Sequence, residues 1–338
     1  MELNHPRISS DMNASITPIT AGDREKLVEE LFSREYALGF LGQPGVWRGV
    51  ECKTLGIQGQ VGEVALDNLL KGNSMSGTAH PAGQWRHPKA PVGWRCTVEM
   101  DYRYNALWAL GGEERRALIE INHSSAVTET FEKLDNVLRR AGGYRADAPV
   151  GAVYAAFLSG TGDGQIPVLR STVIIPNGHL RNDGSVMTFP TKALTAVEPR
   201  LYGAYLTHFV PRIFCSIGRV GDHGAEIPKN LFQPLAKDPV ISGHSEQGHS
   251  RVFVGTDLFT QWQRQAELRG FGAEKVENLF ALARENAIQF GMPPAMDDPG
   301  VTKIIRNLTD RLWTLYTGPE RTHEQNEFGK KEDHGHGI

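Results

Sequence analysis

The chain has 338 residues, enough for one elaborate domain or for two, and its 40% hydrophobic content is ordinary for a globular protein with a substantial core. The 36 Lys and Arg residues nearly balance the 39 Asp and Glu residues, so the formal net charge is -3 at pH 7. This balance excludes a histone-like or polybasic nucleic-acid-binding protein, although it is compatible with a local basic groove.

Cysteine usage and the N-terminus indicate a reducing compartment. Cys52, Cys96 and Cys215 are widely separated and form no CxxC pair, which argues against a disulfide framework or a structural zinc site. No apolar run approaches the roughly 20 residues of a membrane-spanning helix, and residues 1–20 lack the layout of a signal peptide. We therefore expect a cytoplasmic protein with no membrane partner and a flexible leader over residues 1–20.

Apolar periodicity predicts the elements of the first half of the chain. A helix is expected over 22–41, followed by a short helix that ends at Gly72 and by a Gly/Pro/Ser-rich loop over 72–93. Alternating bulky and polar residues predict a strand over 94–100. Apolar residues at three- and four-residue spacing make 113–141 the clearest helix.

The second half continues with strands first and helices after them. The predicted elements are strands over 150–158, 166–175 and 185–189, a helix over 190–214 with interruptions at Gly203 and Pro211, an irregular polar stretch over 218–256, and a helix over 261–289. Strands joined by hairpin-like turns and flanked by helices favour an α/β fold with a partly antiparallel sheet. We expect one domain over 21–295, a C-terminal helix within 296–318 and a disordered tail over 319–338.

No intact catalytic motif occurs in the sequence. The GxG at 161–165 lacks the third glycine of a dinucleotide-binding loop, and we interpret it as a turn. Glu99 and Asp101 lie two residues apart on a predicted strand, so both carboxylates could point to one face and hold Mg²⁺, or simply be a solvated edge. His123 lies within a predicted helix, and a packed histidine is the better interpretation than a metal ligand. The absence of a P-loop predicts that these residues do not unwind a duplex.

The remaining histidines do not form a recognised metal motif. His223, His244 and His249 lie in an irregular stretch without ligand spacing, and HGH at 334–336 lies in the expected tail, where a flexible segment cannot preorganise a catalytic ion. Neither HExxH nor GxSxG is present. The chemistry of the protein cannot be derived from residue spacing alone.

Two stretches resemble a known family. WRG at 47–49 followed by LGIQGQV at 55–61 resembles the WxGxxxxxLGLxGxV segment of the TrwC/TraI-type (MobF) conjugative relaxase domain. LWALGGEERRALIEINHSSAV at 107–127 is similar to the strand end and helix that follow the LTFSAPKSVSVLWAL segment of that family. The order and spacing agree over roughly residues 25–290.

The resemblance implies an HUH endonuclease with a palm-like, mostly antiparallel sheet and helices packed behind it. In such relaxases a tyrosine attacks a DNA phosphodiester, three histidines hold a divalent metal that polarises the phosphate, and an aspartate orients one histidine. The domain is usually followed by a helicase-like region, which we do not expect here because the sequence ends at Ile338.

The residues of that site are largely replaced in this chain. The two histidines of the LHTHVVVxN strand correspond to Arg170 and Thr172, and the third histidine corresponds to Ser159. The aspartate corresponds to Arg95. The paired tyrosines are absent, and Tyr36 is the only tyrosine upstream of the WRG segment.

These replacements predict a catalytically degenerate relaxase-like protein of plasmid or mobile-element origin, without a cofactor. At most it would retain binding of single-stranded DNA or phosphate at a basic former metal site, with Arg95 and Arg170 gripping a phosphate. The expected binding residues are Arg95, Arg170, Ser159, Thr172, Trp47 and Arg48.

Two alternatives stay open. Tyr36 with Glu99 and Asp101 could form a rebuilt divalent-metal site for DNA nicking. The near-neutral net charge also allows a protein–protein adaptor that binds a relaxase or another conjugation protein.

Overall fold

The computed structural model of the protein describes residues 14–33, 45–49, 52, 57–77, 91–141, 152–161, 166–177, 179–180, 186–187, 191–218, 227–228, 230–232 and 255–289. Its strands are β1 (Ala14–Ile19), β2 (Val46–Arg48), β3 (Gly93–Glu99), β4 (Tyr154–Thr161), β5 (Pro167–Pro176), β6 (His179–Leu180) and β7 (Val186–Met187). Its helices are α1 (Arg24–Phe32), α2 (Glu63–Leu70), α3 (Tyr102–Leu110), α4 (Glu113–Ala141), α5 (Thr191–Ser216), α6 (Gly255–Leu268) and α7 (Ala273–Gln289). None of the helices in these ranges is both long and apolar enough to cross a membrane.

A five-stranded sheet with the order β1-β3-β5-β4-β2 organises the protein, and every pairing in it is antiparallel. The ten-residue strand β5 lies in the centre, where it pairs with β3 on one side and β4 on the other. The expected α/β fold with a mostly antiparallel sheet flanked by helices is therefore confirmed.

Both faces of the sheet are covered, but by different helices. The face that we call the core face carries Trp94, Cys96, Val98, Val173 and Ile175, which belong to the cluster that packs with α3, α4 and α5. Residues on a strand alternate between faces, so their neighbours point the other way. The second face carries Ile19, Trp47, Ala155, Phe157 and Ile174, which pack against Leu27, Leu31, Leu66 and Leu70 of α1 and α2.

The outer edge of the sheet at β1 is closed by a helix side chain. The backbone N–H of Ile16 donates to Oε1 of Glu198 on α5 at 3.0 Å. An open edge presents unpaired backbone groups to other chains, so this contact protects the sheet. The prediction of a flexible leader over residues 1–20 is wrong for Ala14–Ile19, because these residues pair with β3 along the whole strand.

Two other predicted boundaries also differ. LWAL at 107–110, interpreted as the end of a strand, belongs to α3, which Asp101 caps by accepting a hydrogen bond from the N–H of Arg103. The helix expected over 261–289 is two helices, since the chain turns at Gly270, whose φ of 70° favours glycine. The interruptions expected at Gly203 and Pro211 are wrong, because α5 runs through both residues from Thr191 to Ser216.

Several predictions fall wholly or partly outside the described residues. They include most of the leader, the second half of the 22–41 helix, most of the 72–93 loop, the turn over 161–165, most of 218–256, the helix within 296–318 and the tail over 319–338. The division into domains stays a prediction. Cys52, Cys96 and Cys215 all lie in the described part of the chain, and each is buried.

Candidate functional site

The polar part of the second sheet face forms the candidate site, and we call it the site face. Arg170 lies in the centre of one row, opposite Glu99 on β3 and opposite Ser159 on β4. Thr172 occupies the next row of β5, between Thr97 and Phe157. Arg95 lies one row further along, opposite Ile174. Directly opposed residues share a face, so the register brings Arg95, Ser159, Arg170 and Thr172 to the same side of the sheet.

Each arginine of the site face is held by its own carboxylate. Arg170 donates from Nε to Oε1 of Glu99 at 2.7 Å. Arg95 makes a bidentate pair with Glu30 on α1, with N–O distances of 2.8 and 3.1 Å. The charges therefore balance, and the expected basic pocket is instead a pair of neutralised guanidiniums.

The two arginines also cannot share one phosphate in this arrangement. Arg95 lies four positions before Glu99, the cross-strand neighbour of Arg170, which places the backbones of the two arginines roughly 13 Å apart along the strand direction. Each guanidinium in addition turns to its own acidic partner. The two arginines lie on the same face, but they do not bind one phosphate together in this arrangement.

The two hydroxyl residues of the site face are buried. Thr172 is 1% exposed, and its Oγ1 has no hydrogen-bond partner among the described residues. Ser159 is 7% exposed, at the position where the β4–β5 register begins to shift. An unsatisfied buried hydroxyl is unfavourable. Thr172 is thus a polar group placed in the sheet without a structural bond to account for it.

The alternative metal site at Glu99 and Asp101 is not assembled. Glu99 lies on the strand and binds Arg170, whereas Asp101 follows the strand and binds Nε of Arg103 at 2.8 Å while it caps α3. The expectation that both carboxylates share a face is wrong, because the chain turns into a helix between them and each carboxylate already has a cation. Across the described part of the chain, no group of three His, Cys, Asp or Glu residues could hold a metal ion.

The structure does not bring the remaining predicted site residues to the site face as accessible side chains. Trp47 is 5% exposed and packs in the cluster beneath α1 and α2, so its ring is not available for stacking on a base. Arg48, the next residue of β2, is exposed. It lies on the core face and not on the site face, because it pairs with Tyr154 of β4. Tyr36 lies outside the described residues.

Comparison with known proteins identifies the lineage. The family model for the TrwC relaxase matches residues 25–211, which is more than half of the chain. The chain belongs to the TrwC relaxase family.

Solved structures of TrwC share the fold. A metal-free structure of the conjugative relaxase TrwC in complex with oriT DNA is similar at a TM-score of 0.50 and 18% identity, over 83% of this chain and 100% of that chain. A metal-bound structure of the same complex reaches a TM-score of 0.51 at 18% identity, with the same coverage. Identities this low establish the shared fold alone. Among curated proteins, no sequence matches.

In this TrwC family member, Glu30 on α1 contributes to the site face, although the sequence did not predict it as a site residue. Glu30, the partner of Arg95, lies between Leu27 and Leu31, both of which are buried on α1. Residues three and four apart share a helix face, so Glu30 is an acid placed on the apolar side of α1. An acidic residue on an apolar helix face indicates a buried or half-buried cation as its partner. Only the tertiary structure shows that this cation is Arg95.

His123 is a packed histidine, as predicted. It is fully buried between α4, α5 and the sheet, with Nδ1 2.9 Å from the hydroxyl of Tyr205 and Nε2 2.9 Å from Oγ of Ser171. Burial lowers the pKa of His123 to about 3, so the imidazole is neutral at physiological pH. It bridges α5 to the central strand on the core face and takes no part in the site face.

Proposed function

We propose that this protein is a cytoplasmic relaxase-like protein that has lost metal-dependent DNA cleavage and retains binding of single-stranded DNA on the site face. One observation carries the proposal. The three positions that the family resemblance assigns to metal-binding histidines lie side by side on the sheet, and they hold Ser159, Arg170 and Thr172.

The chemistry of these side chains does not fit a divalent metal. A guanidinium has no lone pair to donate and adds a positive charge where a cation would have to bind, and a neutral hydroxyl is a poor ligand for a transition metal. The carboxylate of Glu99, which lies opposite Arg170, already binds this guanidinium. We therefore propose that these side chains do not hold a metal that could polarise a phosphodiester.

The same arrangement is compatible with binding a phosphate backbone. The side chains of the two ion pairs are between 27% and 41% exposed, and pairs of this kind contribute only about 0.2–1 kcal/mol. A DNA phosphate can replace Glu30 or Glu99 as the partner of a guanidinium at small cost, because it forms a charge-assisted bond of the same kind. The distance between the two arginines suits contacts with different phosphates of one strand. The TrwC structures in complex with oriT DNA support DNA as the ligand class.

The cleavage half of the proposal is tested on supercoiled plasmid and on single-stranded oligonucleotides, with Mg²⁺ or Mn²⁺ and with EDTA as the matched control. We expect no nicked product above the EDTA background. Metal-dependent nicking that Tyr36→Phe abolishes would contradict the proposal and would support a rebuilt active site.

A further inference from the structure

A row of hydroxyl side chains crosses the site face between the two arginines. Thr97 on β3 lies opposite Ser15 on β1 and opposite Thr172 on β5, and we call these three residues the hydroxyl row. Arg95 lies two residues before Thr97 and belongs to the neighbouring row on one side. Arg170 lies two residues before Thr172 and belongs to the neighbouring row on the other side. The hydroxyl row is therefore flanked by a guanidinium on each side.

The hydroxyl row holds hydrogen-bond donors that the fold does not use. Oγ of Ser15 lies 2.7 Å from Oγ1 of Thr97, and either atom can be the donor. Each hydroxyl carries one proton, so this bond uses one of the two protons of the pair. Oγ1 of Thr172 has no hydrogen-bond partner among the described residues. Hydroxyls left without a partner destabilise a fold, which indicates that the row is built for a ligand and not for stability.

The pair of Ser15 and Thr97 is the accessible part of the row. Both residues are half-buried, whereas Thr172 is 1% exposed. A ligand that meets this pair accepts a hydrogen bond from it and lies between two guanidiniums. An anion with several oxygen acceptors satisfies both conditions, and serine and threonine hydroxyls are common partners of DNA phosphates.

The rows of the site face are spaced like the phosphates of an extended single strand. Neighbouring rows are two residues apart, which is roughly 6.7 Å along the strand direction. Six covalent bonds join successive phosphorus atoms, twice as many as join successive Cα atoms, so an extended nucleotide spans about 7 Å. A single strand that runs alongside β3 therefore presents one phosphate to each of three successive rows.

We propose that Ser15 and Thr97 bind the middle one of three consecutive phosphates of a DNA strand, whose outer two phosphates contact Arg95 and Arg170. The hydroxyl whose proton is unused donates to an oxygen of the middle phosphate, and the bond between the two hydroxyls orients it. This inference rests on the proposed function and adds the path of the strand, which follows β3, and a contact that carries no charge.

Fluorescence anisotropy of a labelled single strand, measured at several salt concentrations, tests the proposal. Thr97→Val keeps the β-branched shape of the side chain and removes the hydroxyl, and Thr97→Ser keeps the hydroxyl. Ser15→Ala removes the other member of the pair and replaces Thr97→Val if that variant does not fold. Thr128→Val is the matched control, because Thr128 is a half-buried threonine of α4, on the other side of the sheet, whose hydroxyl donates to a carbonyl oxygen of α4.

We expect Thr97→Val to weaken binding about 3- to 10-fold, through the loss of a hydrogen bond to a charged group. Thr97→Ser should retain most of the affinity, and Thr128→Val should retain all of it. The slope of log K against log salt should not change in Thr97→Val, because a hydroxyl neutralises no phosphate charge and releases no counterion. Arg170→Gln should flatten that slope.

Equal affinities of Thr97→Val and Thr128→Val, while Arg170→Gln still weakens binding, would overturn this inference alone and leave the proposed function standing. A flatter salt slope in Thr97→Val would also overturn it, since the substitution would then act through the arginines. No binding of a single strand by the unsubstituted chain would overturn both this inference and the proposed function.

Discussion

Replacing Glu99 with glutamine removes the carboxylate that neutralises Arg170 and keeps the size of the side chain. The Arg170–Glu99 pair is about one-third exposed, so it opposes phosphate binding by about 0.2–1 kcal/mol. Glu99→Gln should therefore raise the affinity for a single-stranded oligonucleotide by about 1.5- to 5-fold. Freeing one guanidinium for a phosphate should steepen the slope of log K against log salt by about 0.7.

Fluorescence anisotropy of a labelled single strand, titrated from about 50 to about 200 mM salt, measures both quantities. Arg170→Gln should change them in the opposite direction, with weaker binding and a flatter slope. Glu277→Gln is the matched control, because it changes the net charge equally but removes the exposed partner of Arg115, away from the site face. Equal effects of Glu99→Gln and Glu277→Gln would show that only the overall charge matters, which would refute binding at the site face.

Two predictions concern stability. The pKa of His123 falls from 6.5 to about 3 on folding, so the unfolded chain takes up a proton at a higher pH than the folded protein. The free energy of unfolding should therefore decrease by about 1.4 kcal/mol per pH unit as the pH falls between these two values. Urea unfolding from pH 7 to pH 4 measures this dependence, which His123→Phe should reduce and which an unchanged slope would contradict. Gly218→Ala should destabilise by about 2 kcal/mol or more, because φ is 108° and a Cβ would lie 2.2 Å from the carbonyl oxygen of Ala283. Gly112→Ala is the control, because no atom lies within 4 Å of its added Cβ. Its urea midpoint should stay close to that of the unsubstituted protein.

The spacing of apolar residues predicted the long helix and strand because each of these elements buries one regular row of apolar side chains. Residues 113–141 form the predicted helix, and the strand expected at 94–100 is β3 within one residue at each end. The prediction failed for β1, since a six-residue edge strand with two exposed positions has little pattern of its own. It also failed at Gly270, where a single glycine ends one helix and apolar spacing continues into the next.

The assignment of Ser159, Arg170 and Thr172 to the metal-ligand positions of the family came from the amino-acid sequence and stays a prediction. The mostly antiparallel sheet was likewise expected from strands that follow one another through short turns. The pairing of Arg95 with Glu30 and of Arg170 with Glu99 was decided by the tertiary structure alone. The charge of a surface depends on which residues the strand register and the helix packing bring within a few ångströms of one another, and those neighbours are distant in the chain.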